Sequence, residues 1–297
     1  YFVRSRSDWD QCADDLTGQR EVKVMKRIRN VEVCLEGAVT RYGTVVGPAM
    51  TSLVGYPELT PYRGSWCGND VWREALPPAQ TRAARAMVRK LGDVLGGEGY
   101  LGYFEVDLLH DLDSDELYLG EVNPRLSGAS PMTNLTTEAY ADIPLFLFHL
   151  LEFMDVDYEL DVDEINARWQ RGYGEDEVWG QVIIAETSTD VELFTKTPRT
   201  GVYRLDDAGR ASFARPADDW DSITDESEAF YMRVAAPGDL RCEGAQLGVL
   251  VTPGHLQSED YQLTERCQRW LKAIKAKFTS TPLAPSAQIV SRLVARA

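Results

Sequence analysis

Gly102-Tyr103-Phe104-Glu105-Val106-Asp107-Leu108-Leu109 is followed, after seven residues, by Leu117-Tyr118-Leu119-Gly120-Glu121-Val122-Asn123-Pro124-Arg125. Two alternating runs joined by the acidic turn 110–116 predict a β-hairpin. Side chains on a strand point to alternate faces, so Glu105 and Asp107 share one face and Glu121 and Asn123 share another. A hairpin closing symmetrically about Asp113 turns all four the same way and sends Val106, Leu108 and Val122 to the opposite side. Gathered carboxylates repel unless a cation offsets them or one takes a proton. A hard divalent ion answers that need, and magnesium favours one or two carboxylates plus substrate phosphates. Arg125, two residues beyond Asn123, is placed to hold a phosphate oxygen touching the same ion. The pattern describes a nucleotide–magnesium site. It also suits an exposed acidic hairpin with hydrated charges.

Working outward, Glu21–Ile28 alternates as a strand, Val31–Val39 forms another, and a turn at Tyr42-Gly43-Thr44 leads into Val45-Val46. The opening Tyr1-Phe2-Val3-Arg4 reads as mid-strand, which points to a piece of a longer protein. Residues 55–70, rich in Gly, Pro and Trp, read as an irregular loop. Pro77-Pro78 opens a helix with Ala84, Met87, Val88, Leu91 and Leu95 on one stripe, closed by Gly96-Gly97. A further helix begins near Asp142 as N-cap, with Pro144 just inside. Between Glu152 and Glu177 ten acidic residues face two basic ones, a net −8. Residues 156–177 are therefore an acidic connector, separating a domain over 1–155 from a strand-rich one over 178–278. That second domain ends in an amphipathic helix carrying Leu263, Cys267, Trp270, Leu271 and Ile274, and 279–297 is a tail.

The 297 residues carry a net charge of −16, which repels phosphate backbones and anionic lipid, so nucleic acid and membrane surfaces are excluded as partners. The apolar run Ile143–Leu151 is too short to span a bilayer and reads as a buried helix. Five cysteines without a CxxC pair imply free thiols in a reducing cytoplasm. Three dispersed histidines do not suggest zinc; His149 reads as a core residue and His110 as part of a solvated turn. Cys67 lacks a visible partner base, and Arg199 reads as a surface turn residue.

Glu121-Val122-Asn123-Pro124-Arg125, preceded by Val106-Asp107-Leu108-Leu109, resembles the magnesium-binding signature of the ATP-grasp superfamily, in its biotin carboxylase-like and carboxylate–amine ligase branch. Val24–Ile28 resembles the strand and hinge that meet adenine, residues 31–47 the antiparallel strands after it, and Thr197–Val251 the carboxy-terminal domain packed on the grasp fold. The resemblance implies an α+β fold: an ATP-grasp antiparallel sheet with flanking helices, then a strand-rich biotin carboxylase C-terminal-like domain. It implies ATP and Mg2+ as cofactors, with Asp107, Glu121 and Asn123 on the metal and Arg125 on the γ-phosphate or the acyl-phosphate formed from it. Lys26 and Ile28 fall at the adenine hinge, chiefly through backbone groups. Lys23 either reaches the nucleotide or is a surface lysine, and Glu105 is either a spare ligand or lies just behind the ligands.

Two departures refine this. The glycine-rich loop, the phosphate-binding lysine and the amino-terminal domain of such enzymes are not found in this stretch, so these residues alone should bind ATP poorly. Where biotin carboxylases place a glutamine–valine–glutamate–histidine run, this chain has Leu126-Ser127-Gly128-Ala129-Ser130, without a base for bicarbonate. That run offers hydroxyls and N–H groups to an acyl-phosphate, or is an ordinary loop before a helix. The resulting expectation is an ATP-dependent ligase joining a small-molecule carboxylate to an amine, cytoplasmic and homodimeric like many relatives. The alternatives are a biotin carboxylase component and a non-catalytic nucleotide-binding module.

Overall fold

A computed structural model describes residues 1–72, 74–135, 143–171 and 178–283. Ten strands make one antiparallel sheet: β1 (Asn30–Thr40), β2 (Gly43–Val54), β3 (Trp66–Val71), β4 (Gly102–Asp111), β5 (Leu117–Asn123), β6 (Trp179–Ala185), β8 (Gly201–Leu205), β9 (Ala211–Arg215), β10 (Glu228–Arg233) and β12 (Gln246–Pro253). Their order is β5-β4-β1-β2-β3-β6-β12-β10-β8-β9. β7 (Glu192–Lys196), β11 (Leu240–Arg241) and β13 (Thr279–Pro282) form a small second sheet. The acidic connector does not interrupt the large sheet, because β3 pairs directly with β6 through Gly68↔Val182 and Asn69↔Gln181.

The helices follow from capping and stripe. α1 (Arg6–Thr17) starts at a capping box in which Ser5 and Asp8 each accept the other's backbone N–H. α2 (Pro78–Gly97) begins with proline at its amino end and lays Ala84 and Val88 on Val33, Leu35, Phe104 and Val106 of the sheet. α3 (Ser130–Leu135) is a short turn on the opposite face, where Ala129 and Met132 pack on Cys34 and Met50. α4 (Leu145–Phe153) and α5 (Val162–Arg171) close that face farther along, with Leu145, Phe148, Ile165 and Trp169 around Ala38 and Tyr103. α6 (Glu265–Lys275), capped by the Thr264 hydroxyl, buries Cys267, Trp270, Leu271 and Ile274 against β6, β10 and β12, as its stripe predicts.

Several expectations are corrected. Residues 21–29 form no strand, and Val24 is 89% exposed, because alternation makes a strand only where a neighbouring edge supplies hydrogen bonds. Residues 1–4 are likewise outside any strand, and α1 follows them. β3 lies inside the segment read as irregular loop; its polar Asn69 and Asp70 hid it, yet both are buried. His110 is buried, not solvated, and its Nε2 lies 2.7 Å from Asp115. Thr279–Pro282 of the tail is a strand on β7. The N-cap expected at Asp142 falls outside the described residues; Pro144 stands at the N-cap position without a side-chain capping bond, and the helix starts at Leu145. All five cysteines are free. Among the described residues, no helix is long and apolar enough to cross a membrane.

Candidate nucleotide and metal site

Register builds the site. Across β1, β4 and β5, Cys34 pairs with Asp107 and Asp107 with Glu121; two residues along, Glu36 pairs with Glu105 and Glu105 with Asn123. Residues two apart share a face, so these six form a grid of two rows on the side away from α2. The four hairpin residues come together as expected, although the pairing at these positions centres on residue 114 and not 113. Nearer the turn the pairs centre between 113 and 114, and a register shift between Asp107 and Leu108 moves the centre to 114 at the acidic positions.

Within the grid, Asn123 Nδ2 lies 3.3 Å from Glu105 Oε2 and 3.4 Å from Asp107 Oδ2. Its Oδ1 accepts from Arg125 Nη2 at 3.1 Å, and Arg125 Nη1 donates to the Leu126 carbonyl at 3.0 Å. Burial, then the charges of Glu105 and Glu121, pushes Asp107 up to about 7. Glu105 is raised to about 7 by burial and by Glu36, and Glu32 to about 7 by burial and by Asp107 and Glu121. Glu121 itself is exposed at the open edge of the sheet.

This crowding of acids is the chemistry that a divalent cation relieves. Two carboxylates and an amide oxygen are hard donors that fit magnesium. Asp107 and Glu121 are the direct pair and Asn123 is the amide beside them. Asp107, Glu121 and the Asn123 amide oxygen are the groups that would hold such an ion, and that oxygen now accepts from Arg125.

Glu36 is the residue that sequence reasoning missed. It is fully buried, and one oxygen accepts from Ser127 Oγ at 3.0 Å and Ser130 Oγ at 2.6 Å. The other accepts from Tyr103 OH at 2.6 Å. Burial raises its pKa. Glu36 thus ties the loop after Arg125 down onto the sheet, and both serine hydroxyls are engaged there instead of facing an acyl-phosphate. Gln181 Nε2 donates to the Gly128 carbonyl at 2.7 Å, and a Cβ on Gly128 would lie 2.4 Å from the Trp66 ring, so the loop is held from both sides. The signal was available: Glu32, Cys34 and Glu36 alternate along a strand that is otherwise apolar.

Beyond Glu32 lies a cavity of about 880 Å3, lined by Lys23, Lys26, Ile28 and Glu32 on one side and Ser52, Val54, Tyr56 and Gln257 on the other. Lys26 and Ile28, the residues expected at an adenine hinge, are therefore in its wall, next to the acidic grid on the same face of the sheet. Other candidates fall away. Cys67 is buried, and its thiol is pushed up to about 11. Arg199 stacks 3.6 Å over the Phe213 ring. His149 packs between Phe146 and Phe153 and accepts from the Tyr103 N–H at 3.1 Å.

By sequence, no family model and no curated protein matches the chain. Solved structures do. The biotin carboxylase domain of Hydrogenobacter thermophilus 2-oxoglutarate carboxylase, in complex with MgADP and bicarbonate, is similar over 86% of this chain and 47% of its own, with a TM-score of 0.53 at 10% identity. The L-amino acid ligase from Bacillus licheniformis is similar over 95% of this chain and 62% of its own, with a TM-score of 0.53 at 13% identity. The N5-carboxyaminoimidazole ribonucleotide synthetase from Thermotoga maritima is similar over 95% and 60%, with a TM-score of 0.50 at 11% identity. The fold is ATP-grasp. This chain spans about half to three-fifths of the length of these proteins.

Proposed function

We propose that this chain is part of an ATP-dependent ligase that joins a carboxylate to an amine through an acyl-phosphate, with Mg2+ held by Asp107, Glu121 and Asn123. The carrying observation is the grid itself: two facing acidic residues and an amide on a sheet face that runs into a cavity lined by Lys26 and Ile28. In that cavity, backbone groups of 26–28 would meet the adenine base. A bound magnesium ion supplies charge neutralisation at the β- and γ-phosphate oxygens. Arg125 offsets charge on the transferring phosphoryl group. A carboxylate oxygen of the acid attacks the γ-phosphorus and ADP leaves. The amine then attacks the acyl carbon, inorganic phosphate departs, and the amine gives up a proton to solvent.

Ligation is favoured over biotin-dependent carboxylation by the loop at 126–130, which carries neither a carboxylate nor an imidazole and whose two serines are bound to Glu36. The test is ADP release by the full-length protein with a panel of acids and amines, and with bicarbonate plus biotin as a separate arm. Turnover that needs both an acid and an amine supports the proposal. Turnover only with biotin overturns it in favour of a carboxylase component, and binding of ATP without any turnover in favour of a non-catalytic module.

A further inference from the structure

We propose that Gln257 reads the nucleobase, its side-chain amide meeting the N6 amine and N7 of adenine from the wall opposite Lys26 and Ile28. This rests on the reading of the cavity of about 880 Å3 as a nucleotide site. Gln257 lines that cavity and, with Tyr261, also a second one of about 620 Å3, so the two side chains stand between them.

Reading a base needs a residue that is held in place and an amide that is not already used. The backbone meets the first need. Asp70, itself buried, accepts from the N–H groups of Leu256 at 3.1 Å and Gln257 at 2.9 Å, and Gln257 forms a β-bridge with Leu263. The side chain meets the second. Gln257 is 8% exposed; one polar atom of its amide lies 2.7 Å from the Tyr56 hydroxyl, and the other is buried without a hydrogen-bond partner among the described residues. Turning the amide over exchanges the two atoms and leaves one unmet either way. Native proteins seldom leave a buried polar atom so without a ligand or water to meet it. The terminal torsion of glutamine is broad and no bond holds the unmet atom, so rotation there carries it toward a base. Adenine presents a donor amine beside an acceptor nitrogen, which a glutamine amide complements with one acceptor and one donor. Guanine presents two acceptors at the same edge, so the amide oxygen would face its like.

The experiment is calorimetric titration of the full-length protein with ATP and with GTP, in magnesium, for wild type and Gln257→Met. Methionine keeps the length of the side chain, and Tyr56 retains its bond to the Tyr261 carbonyl at 2.7 Å. Wild type should bind ATP about tenfold or more tighter than GTP. In Gln257→Met the ATP affinity should fall by about that factor, while the GTP affinity and the melting temperature without nucleotide stay at wild type. Should Gln257→Met fail to fold, Gln257→Asn, which withdraws the amide by one methylene, takes its place with the same expectation. Equal losses for the two nucleotides, or an unchanged ATP affinity, overturn the role of Gln257 and leave the nucleotide site standing. Equal binding of ATP and GTP by wild type overturns it as well. Wild-type protein that binds neither nucleotide overturns the nucleotide reading itself.

Discussion

Asp107 and Glu121 face each other directly across the β4–β5 ladder, two acids where a sheet ordinarily avoids like charges. Their juxtaposition is unfavourable for folding taken alone, and a cation held between them, as proposed, would turn the same repulsion into affinity.

Glu121 is the exposed member of that pair, so Glu121→Gln should leave the fold within about 0.5 kcal/mol of wild type. It should nevertheless lower magnesium-dependent ADP release by about 100-fold or more, since even outer partners of a metal matter that much. Activity retained at wild-type magnesium concentrations would show that the ion sits elsewhere.

Glu32, Glu105 and Asp107, each raised to about 7, hold their protons more tightly in the folded chain than unfolded, where carboxyls titrate near about 4. Their contribution therefore favours the folded state below about pH 4 and is lost as pH rises through about 7. Magnesium must displace those protons, so its stabilising effect should be larger at pH 8 than at pH 5.5. Thermal melts with and without magnesium at both values check this, and Asp107→Asn should flatten the difference. An equal shift at the two pH values would contradict the assignment.

Glu36 accepts three hydroxyl bonds in a buried setting. Glu36→Ala should cost about 2–4 kcal/mol in urea unfolding, from the cavity and the stranded hydroxyls. Glu36→Gln, which mimics the protonated acid, should lose less. If the two variants were equally stable, the network would not be what anchors the loop.

Gly128→Ala forces a methyl into the Trp66 ring, 2.4 Å away, with Gln181 holding the same residue's carbonyl. A loss of about 1–3 kcal/mol is expected. Because Arg125 is three residues upstream on the same loop, activity should fall further than stability explains. Wild-type kinetics in this variant would uncouple the loop from the phosphoryl site.

Much of this was legible in the chain. The hairpin announced itself because Glu105, Asp107, Glu121 and Asn123 keep strict alternation, and α6 because its apolar stripe has one period throughout. Glu36 was not legible as an anchor, since its partners Ser127, Ser130 and Tyr103 come from distant strands and loops that only pairing brings near. β3 was obscured for a related reason: Asn69 and Asp70 look like loop residues until Gln181 and the backbone N–H groups of Leu256 and Gln257 are seen to satisfy them. Residues 21–28 show the converse, a strand-like pattern without a neighbour to pair with.

The β3–β6 ladder has a consequence for dissecting the molecule. Hydrogen bonds there stitch residues up to 171 to the region from 178 onward, so separating the two parts would strip two bare edges and leave each prone to self-association. Co-expressed as two polypeptides cut after residue 171, which keeps α5 with the strands it packs on, they should instead find each other by strand addition and co-elute as one particle, which makes this seam a natural place for a split reporter.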